Sequence, residues 1–239
     1  MIPWLRPGDP PDAFPPVTQA LTEPDGLLCA GGDLRPQRIL AAYRRGIFPW
    51  YSEGQPILWW SPDPRMVLFP AELKVSRSLR KKLRQQRFRV TLDTCFDTVM
   101  AQCGDSGTRA VRGTWILPAM RQAYGELHRM GHAHSVEVWL DDPAGSAAPR
   151  LVGGLYGLLL GRVFFGESMF SHATDTSKVA LHWLVQWAQS EHGVEMIDCQ
   201  VASDHLFTLG ARLIPRTKFL AHLERAVPRP GPAAAANRT

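Results

Sequence analysis

The fold class is decided by the stretch Leu151-Val-Gly-Gly-Leu-Tyr-Gly-Leu-Leu-Leu160, Gly161, Arg162-Val-Phe-Phe-Gly-Glu167. Two apolar runs of strand length flank Gly161, which is typical of two strands joined by a tight turn. Glycines inside the first run indicate a close approach of another part of the chain. A stretch from about 176 to 190 follows with apolar residues on nearly all sides, which predicts a largely buried helix.

Shorter elements of both kinds surround this region. Alternation and helical periodicity predict further strands at 66–69, 88–92, 134–140 and 194–201. They also predict helices at 35–45, 72–86, 94–103, 117–130 and from Asp204 onward. Because helices and strands are interleaved and several strands are joined by tight turns, we expect an α+β (mixed) fold.

Prolines at 62 and 64 suggest a linker. We therefore expect a small N-terminal domain over residues 1–63 and a larger domain over residues 64–226. Residues 227–239 are rich in proline and alanine, and we expect them to form a disordered tail.

The charge distribution points to a polyanionic partner. The chain has 239 residues and a formal net charge of +5, and no acidic residue interrupts the cations between positions 74 and 89. Such a run is usually a solvated helix face, but eight cations without an anion favour contact with a polyanion. These cations are Lys74, Arg77, Arg80, Lys81, Lys82, Arg84, Arg87 and Arg89.

Other signals exclude several classes of protein. The four cysteines form no CxxC pair, the pair His132 and His134 has no evident third ligand, and no P-loop or Gly-x-Ser-x-Gly motif occurs. The first residues lack the layout of a secretion signal, and no stretch reaches 18 apolar residues. We expect a cytoplasmic protein without a membrane span.

Three polar residues stand out within apolar strands. Glu167 is either a carboxylate pinned by backbone amides or one that faces a pocket lined by Phe164 and Met169. Side chains alternate along a strand, so Asp198 and Gln200 should share one face and Cys199 the other. This polar face belongs either to a solvent-facing edge strand or to the floor of a pocket, and Cys199 is expected in the core.

Tryptophans form the last set of candidates. Trp50 and Trp115 lie in segments with Pro and Gly, where flat aromatic rings near cations suit stacking on unpaired nucleobases. For Trp59 and Trp60 we favour core packing.

An ordered set of motifs resembles the leucyl/phenylalanyl-tRNA–protein transferase family over about residues 23 to 220. The matching runs are Gly31-Gly-Asp-Leu34, Arg45-Gly-Ile-Phe-Pro-Trp50, Leu58-Trp-Trp-Ser-Pro-Asp-Pro-Arg65, Gly113-Thr-Trp-Ile116, Gly131-His-Ala-His-Ser-Val-Glu-Val-Trp139, Gly166-Glu-Ser-Met-Phe-Ser171, Ile197-Asp-Cys-Gln200 and Asp204-His205. The resemblance implies transfer of Leu or Phe, with Met as a further candidate, from aminoacyl-tRNA to proteins that begin with Arg or Lys, which marks them for N-end rule degradation. It also implies a monomer with a small N-terminal domain and a larger acetyltransferase-like (GNAT) domain with a central, largely antiparallel sheet. No metal or added cofactor is expected, because the acyl group arrives activated on tRNA.

The same resemblance assigns roles to individual residues. Asp198, Gln200 and Glu167 match catalytic positions, and Trp50 and Trp115 match positions near the terminal adenosine. The expected aminoacyl pocket consists of Leu155, Phe164, Met169, Leu181 and Leu184. Lys74, Arg77, Arg80, Lys81, Lys82 and Arg84 are the expected contacts to tRNA phosphates.

Two alternatives remain at this point. An acyl-CoA-dependent N-acetyltransferase of the same fold would explain the catalytic domain, although the expected turns lack the glycines that cradle pyrophosphate. A non-catalytic tRNA-binding protein would explain the cations and tryptophans, but it would leave Glu167, Asp198 and Gln200 unexplained.

Overall fold

The computed structural model describes residues 2–105, 114–142 and 148–228. The N-terminal part of the chain forms a small sheet. The small sheet has the order β1-β2-β4-β3, with strands β1 (Trp4–Leu5), β2 (Leu27–Gly31), β3 (Phe48–Pro49) and β4 (Leu58–Trp60). Helix α1 (Pro36–Arg44) connects β2 to β3, and Pro36 suits its first turn because proline has no N–H to leave unpaired there. Trp59 is fully buried and donates from Nε1 to the carbonyl of Gly31, as expected for a core residue.

A seven-stranded sheet forms the larger part of the structure, in the order β11-β5-β10-β9-β8-β7-β6. Its strands are β5 (Arg65–Leu68), β6 (Arg89–Leu92), β7 (Ala133–Leu140), β8 (Arg150–Leu160), β9 (Val163–Ser171), β10 (Met196–Gln200) and β11 (Arg212–Ile214). All neighbouring strands are antiparallel except β9 and β10, which are parallel. The predicted mixed fold, with a small N-terminal part before a largely antiparallel sheet, is therefore confirmed.

Helices cover both faces of this sheet. They are α2 (Arg77–Arg84), α3 (Phe96–Asp105), α4 (Pro118–Arg129), α5 (Thr176–His192), α6 (Asp204–Thr208) and α7 (Arg216–Ala226). The buried face of α5 joins an apolar cluster on one side of the sheet, and α3, α4, α1 and α7 contribute to a cluster on the other side. Within the described ranges, no helix combines the length and the apolar character that crossing a membrane requires.

Some element boundaries differ from the sequence expectations. The basic helix begins at Arg77 instead of 72, because a 3₁₀ turn (Pro70–Glu72) precedes it and Ser76 caps it by accepting from the N–H of Leu79. Strand β9 runs on to Ser171 instead of ending at 167. Strand β11 and helix α7 were not predicted, since their short apolar patterns are weak signals.

The apolar cluster to which α1, α3, α4 and α7 contribute extends from the small sheet to the large one. Trp59 and Tyr43 belong to the same buried cluster as Tyr156 and Phe165. The chain passes between the sheets at residues 61–64, but because the core is continuous, the division into domains at residue 63 stays a prediction. The expected tail lies outside the described residues from 229 onward.

An irregularity in β9 changes which side chains face each helix layer. Tyr156 pairs with Ser168 and Gly157 with Gly166, so Glu167 is an extra residue in β9. A β-bulge of this kind shifts the alternation of side chains by one position. Phe164 and Met169, five residues apart, consequently pack on the same side of the sheet, against the cluster of α5.

Gly157 lies opposite the β9 bulge, in close contact with strand β9. A Cβ atom at this position would lie 2.1 Å from the carbonyl oxygen of Phe165 and 2.5 Å from Cε1 of Phe164. The glycine opposite, Gly166, has its nearest neighbour at 3.6 Å, which is an ordinary van der Waals distance. The predicted close approach within this strand is thus present at Gly157.

We expect Gly157→Ala to lower the free energy of unfolding by roughly 1–3 kcal/mol, because the new methyl group overlaps a backbone carbonyl and the flanking ring. Chemical denaturation followed by circular dichroism measures this change. Gly166→Ala on the paired strand is the matched control and should leave stability nearly unchanged. Equal stability of the two variants would contradict the steric argument.

Candidate functional site

A cavity opens where the two parallel strands stop pairing. Strands β9 and β10 pair as far as Phe165 and Asp198, and beyond these residues they diverge. The cavity between them has a volume of about 350 Å³, within the range of small-molecule pockets. Its lining residues are Leu155, Tyr156, Gly166, Glu167, Ser168, Met169, Leu181, Leu184, Ile197, Cys199, Gln200, Val201, Ser203, His205 and Leu206.

One part of the cavity wall is apolar. Strand β8 contributes Leu155, β9 contributes Met169, and α5 contributes Leu181 and Leu184. These are four of the five residues that the family resemblance placed in an aminoacyl pocket. Phe164 is not in the wall, because it precedes the β9 bulge and is fully buried against Gly157. The expectation that Phe164 lines the pocket is therefore wrong.

Asp198 and Gln200 do not share a face, contrary to the sequence expectation. Asp198 pairs with Val67 and Gln200 with Met66, so Cys199 is an extra residue and the alternation is broken. Gln200 also has a φ of +58°, a left-handed conformation that non-glycine residues rarely adopt. As a result Gln200 faces the cavity, whereas Asp198 is not part of its wall. Strand β10 lies inside the sheet, so a solvent-facing edge strand does not explain these residues.

Asp198 forms a buried ion pair with Arg65. Its carboxylate accepts hydrogen bonds from Nε of Arg65 at 2.8 Å and from Nη2 at 2.7 Å, and both side chains are almost fully buried. Oδ1 of Asp198 also accepts from the backbone N–H of Gln200 at 3.1 Å. Asp198 thereby holds Gln200 in its strained backbone conformation.

Arg65 has further contacts that fix its position. Nη1 donates to the carbonyl of Gly46 at 3.2 Å. The guanidinium carbon lies 4.8 Å from the ring centre of Phe48 and 4.7 Å from that of Phe219. These distances allow cation–π attraction on both rings. The pair of Arg65 and Asp198 thus connects the small sheet, helix α7 and the end of β10.

Gln200 and Cys199 both line the cavity, but only Gln200 offers a free polar group to it. Nε2 of Gln200 is buried and has no hydrogen-bond partner among the described residues. Cys199 also lies in the wall, which differs from the expected core position. Burial, followed by the charge of Asp198, raises the pKa of the Cys199 thiol well above its ordinary value, so it is not a nucleophilic thiolate at neutral pH.

Glu167 lies in the wall at the β9 bulge and is held by tyrosines instead of backbone amides. Oε1 lies 2.6 Å from the hydroxyl oxygen of Tyr43, and Oε2 lies 3.1 Å from that of Tyr124, both within hydrogen-bond distance. Burial raises the pKa of Glu167 to about 8, and the two tyrosine hydroxyls oppose this rise. The carboxyl group is therefore largely protonated at pH 7.

The two candidate stacking residues lie outside the cavity wall. Trp50 follows β3, is 42% exposed, and its ring centre lies 5.7 Å from that of Trp60. Nε1 of Trp60 donates to the carbonyl of Trp50 at 2.6 Å, which fixes the backbone beneath the exposed ring. Trp115 is partly buried and packs against the cluster of the small sheet.

Helix α2 presents most of its cations to solvent. Only Leu79 of this helix is buried, and Lys74, Arg77, Arg80, Lys81 and Arg84 are exposed. Lys82 differs, because its ammonium group lies 2.5 Å from the carboxylate of Asp175 and donates to the carbonyl of Thr174. Lys82 is thus partly neutralised within the protein.

Three residues of the site were missed from the sequence. Arg65 begins a buried strand directly after the linker, and an arginine at the start of an apolar run is a weak signal for a buried charge. Tyr43 and Tyr124 fit the apolar faces of their helices, so their hydroxyl groups gave no separate signal.

Comparisons of the sequence with family models and with curated proteins agree on one family. Residues 67–224 match the family model described as leucyl/phenylalanyl-tRNA protein transferase, and residues 32–63 match the model of its N-terminal domain. The chain is 59% identical to a leucyl/phenylalanyl-tRNA–protein transferase of Aromatoleum aromaticum, over 93% of this chain and 89% of the relative. It is 55% identical to one of Stutzerimonas stutzeri, over 98% of each chain. Among solved structures it resembles FemX with a TM-score of 0.48 and 12% identity, over 75% of this chain and 66% of that one.

We expect Asp198→Leu to lower the free energy of unfolding by about 3–5 kcal/mol, because it leaves the Arg65 charge buried without a counter-ion. The double variant Arg65→Met, Asp198→Leu should recover most of this loss, since it removes both charges. Chemical denaturation of the single and double variants measures the difference.

A matched control uses the exposed ion pair of Arg212 and Glu72, whose side chains are 51% and 46% exposed. Glu72→Leu should change the stability far less than Asp198→Leu, because water already screens this pair. A double variant that is no more stable than Asp198→Leu would show that burial of the unpaired charge is not the cause.

Proposed function

Because the chain belongs to the leucyl/phenylalanyl-tRNA protein transferase family and is an aminoacyltransferase, we propose that it transfers Leu or Phe from aminoacyl-tRNA to the α-amino group of proteins that begin with Arg or Lys. The proposed reaction takes place in the cytoplasm and marks these proteins for degradation by the N-end rule pathway.

The observation that carries this proposal is a cavity that joins an apolar wall to a free amide group. Its volume of about 350 Å³ can accept a Leu or a Phe side chain against Leu155, Leu181 and Leu184. Met169 is flexible enough to adjust to either. Discrimination against smaller side chains is expected to be partial, since one methylene contributes only about 1–3 kcal/mol to specificity.

The donor ester needs no enzyme nucleophile, because the acyl group is already activated. An α-amine has a pKa of about 7.7–8.0, so a useful fraction of it is neutral at pH 7. In the proposed step the amine nitrogen attacks the ester carbonyl carbon, the bond to the ribose oxygen breaks, and that oxygen takes up a proton. Positioning of the two reactants can supply roughly 7–11 kcal/mol of the barrier reduction.

Gln200 orients the reacting groups in this proposal. Its buried Nε2–H group has no partner among the described residues and can donate a hydrogen bond to the developing oxyanion, and its carbonyl oxygen can accept one from the attacking amine. Asp198 acts through the backbone of Gln200, because its oxygens already bind Arg65 and the Gln200 N–H. The exposed ring of Trp50 and the partly buried ring of Trp115 are proposed to stack on the terminal adenosine.

We expect Gln200→Ala to lower kcat for transfer of labelled Leu from leucyl-tRNA to a protein with N-terminal Arg by on the order of 10²-fold. Stability should change little. Gln189→Ala, at an exposed position of α5, is the matched control and should retain full activity. Transfer by Gln200→Ala at the wild-type rate would remove Gln200 from the mechanism, and absence of transfer by the folded wild type would refute the proposed function.

The exposed cations of α2 are proposed to bind tRNA phosphates. We expect Lys81→Ala to reduce the slope of log K against log salt concentration for leucyl-tRNA binding by about one unit. Lys82→Ala should reduce it less, because Asp175 already neutralises this ammonium group. Fluorescence anisotropy at several salt concentrations measures both slopes. A larger effect of Lys82→Ala, or no effect of either variant, would contradict this assignment.

A further inference from the structure

Two buried tyrosine hydroxyls take no part in the steps described above. Tyr43 on α1 and Tyr124 on α4 are both fully buried. Their hydroxyl oxygens lie 2.6 Å apart, and each also contacts a different oxygen of Glu167, at 2.6 and 3.1 Å. The three groups therefore form a ring with three close oxygen–oxygen contacts.

Each contact in this ring needs one hydrogen atom. The two phenols supply two, and an ionised carboxylate supplies none, so one contact would bring lone pairs together without a hydrogen. A neutral carboxyl group supplies the third hydrogen. Tyr43 then donates to Tyr124, Tyr124 donates to Oε2, and Oε1–H donates to Tyr43. The ring is complete only when Glu167 carries its proton.

The surroundings of Glu167 support the neutral form. The facing charged and titratable groups are Tyr43 from α1, Tyr124 from α4, Tyr156 from β8, Asp198 from β10 and Arg65 from β5. Cys199 from β10 and His205 from α6 line the same cavity. Arg65 is neutralised by its ion pair with Asp198, so no unpaired cation faces the carboxyl group from these elements. Burial is the largest influence on the pKa of Glu167, and it disfavours the carboxylate.

We propose that Glu167 is a neutral hydrogen-bonding group in the cavity wall, that Tyr43 and Tyr124 are positioning residues that fix the orientation of its carboxyl group, and that this neutral group keeps the acceptor amine uncharged. The inference rests on the proposed function. An ionised carboxylate next to the amine would stabilise the ammonium form, which has no lone pair for attack. The neutral carboxyl group still accepts a hydrogen bond from the amine through its remaining lone pairs. Because it carries no negative charge, it does not stabilise the ammonium form.

The protonation state can be measured on the free protein. In wild-type minus Glu167→Gln infrared difference spectra, the C=O band of a protonated carboxyl group should disappear with a midpoint near pH 8. Each tyrosine hydroxyl stabilises the carboxylate by donating to it, so Tyr43→Phe and Tyr124→Phe should each move this midpoint upward by about one pH unit. Tyr51→Phe is the matched control, because this buried tyrosine lies outside the ring and should leave the midpoint unchanged.

The pH dependence of kcat tests the role in transfer. The acceptor amine produces a rising limb in every variant, and ionisation of Glu167 should produce a falling limb near pH 8 in the wild type. This falling limb should move to higher pH in Tyr43→Phe and Tyr124→Phe and vanish in Glu167→Gln, which cannot ionise. A purely structural role of the tyrosines would lower kcat at all pH values without moving the limb.

Two results would overturn the inference. One is a carboxyl band that titrates near the ordinary Glu pKa of about 4.3. The other is a midpoint that shifts no further in the ring variants than in Tyr51→Phe. Absence of transfer together with the expected infrared titration would instead refute the proposed function and the amine role, while the neutral ring would stand. The two failures are therefore distinguishable.

Discussion

A buried guanidinium–carboxylate pair joins the two sheets at the point where the cavity opens. Arg65 and Asp198 satisfy each other through two short hydrogen bonds in a region that water does not reach. Removing two charges from water carries a large desolvation penalty, which only close geometry and additional hydrogen bonds offset. Here these additional bonds lead to the Gly46 carbonyl and to the Gln200 N–H. The pair therefore fixes both the entry of the chain into the large sheet and the backbone of the residue that faces the cavity.

Two irregular strands use this anchor. Strand β9 has an extra residue at Glu167, and β10 has one at Cys199, both just beyond the point where the pairing of these two strands ends. Each irregularity breaks the alternation of side chains, so that a polar residue faces the cavity between apolar neighbours. In regular strands, strict alternation along the sequence would decide which face of the sheet Glu167 and Gln200 occupy. The site depends on two local departures from regular strand geometry, which the surrounding core holds in place.

These departures explain which features could be predicted from the sequence. The paired apolar runs around Gly161 and the buried helix after residue 175 are local patterns, and they were sufficient for the fold class. Leu155, Leu181 and Leu184 of the cavity were expected from the family resemblance alone. Asp198 was assigned to the wrong face, because alternation arguments assume a regular strand, and Phe164 was expected beside Met169 although it precedes the β9 bulge. Arg65 contacts the carboxylate of Asp198, which is 133 positions away in the sequence, and Tyr43 contacts that of Glu167, which is 124 positions away. No local pattern could therefore reveal either partner.

The distribution of charge relates the fold to the proposed reaction. In the cavity wall the thiol of Cys199 keeps its proton, and Glu167 is neutral within its ring. Partial burial, followed by the charge of Lys178, lowers the pKa of His205, so this imidazole is also neutral at pH 7. Behind the wall, the charge of Asp198 is cancelled by Arg65. The exposed cations lie outside the cavity, on α2, where they can attract a polyanion over a distance of about one Debye length. Attraction of the nucleic acid and reaction of a neutral amine require opposite electrostatic environments, and the structure separates them between an outer helix and an inner cavity.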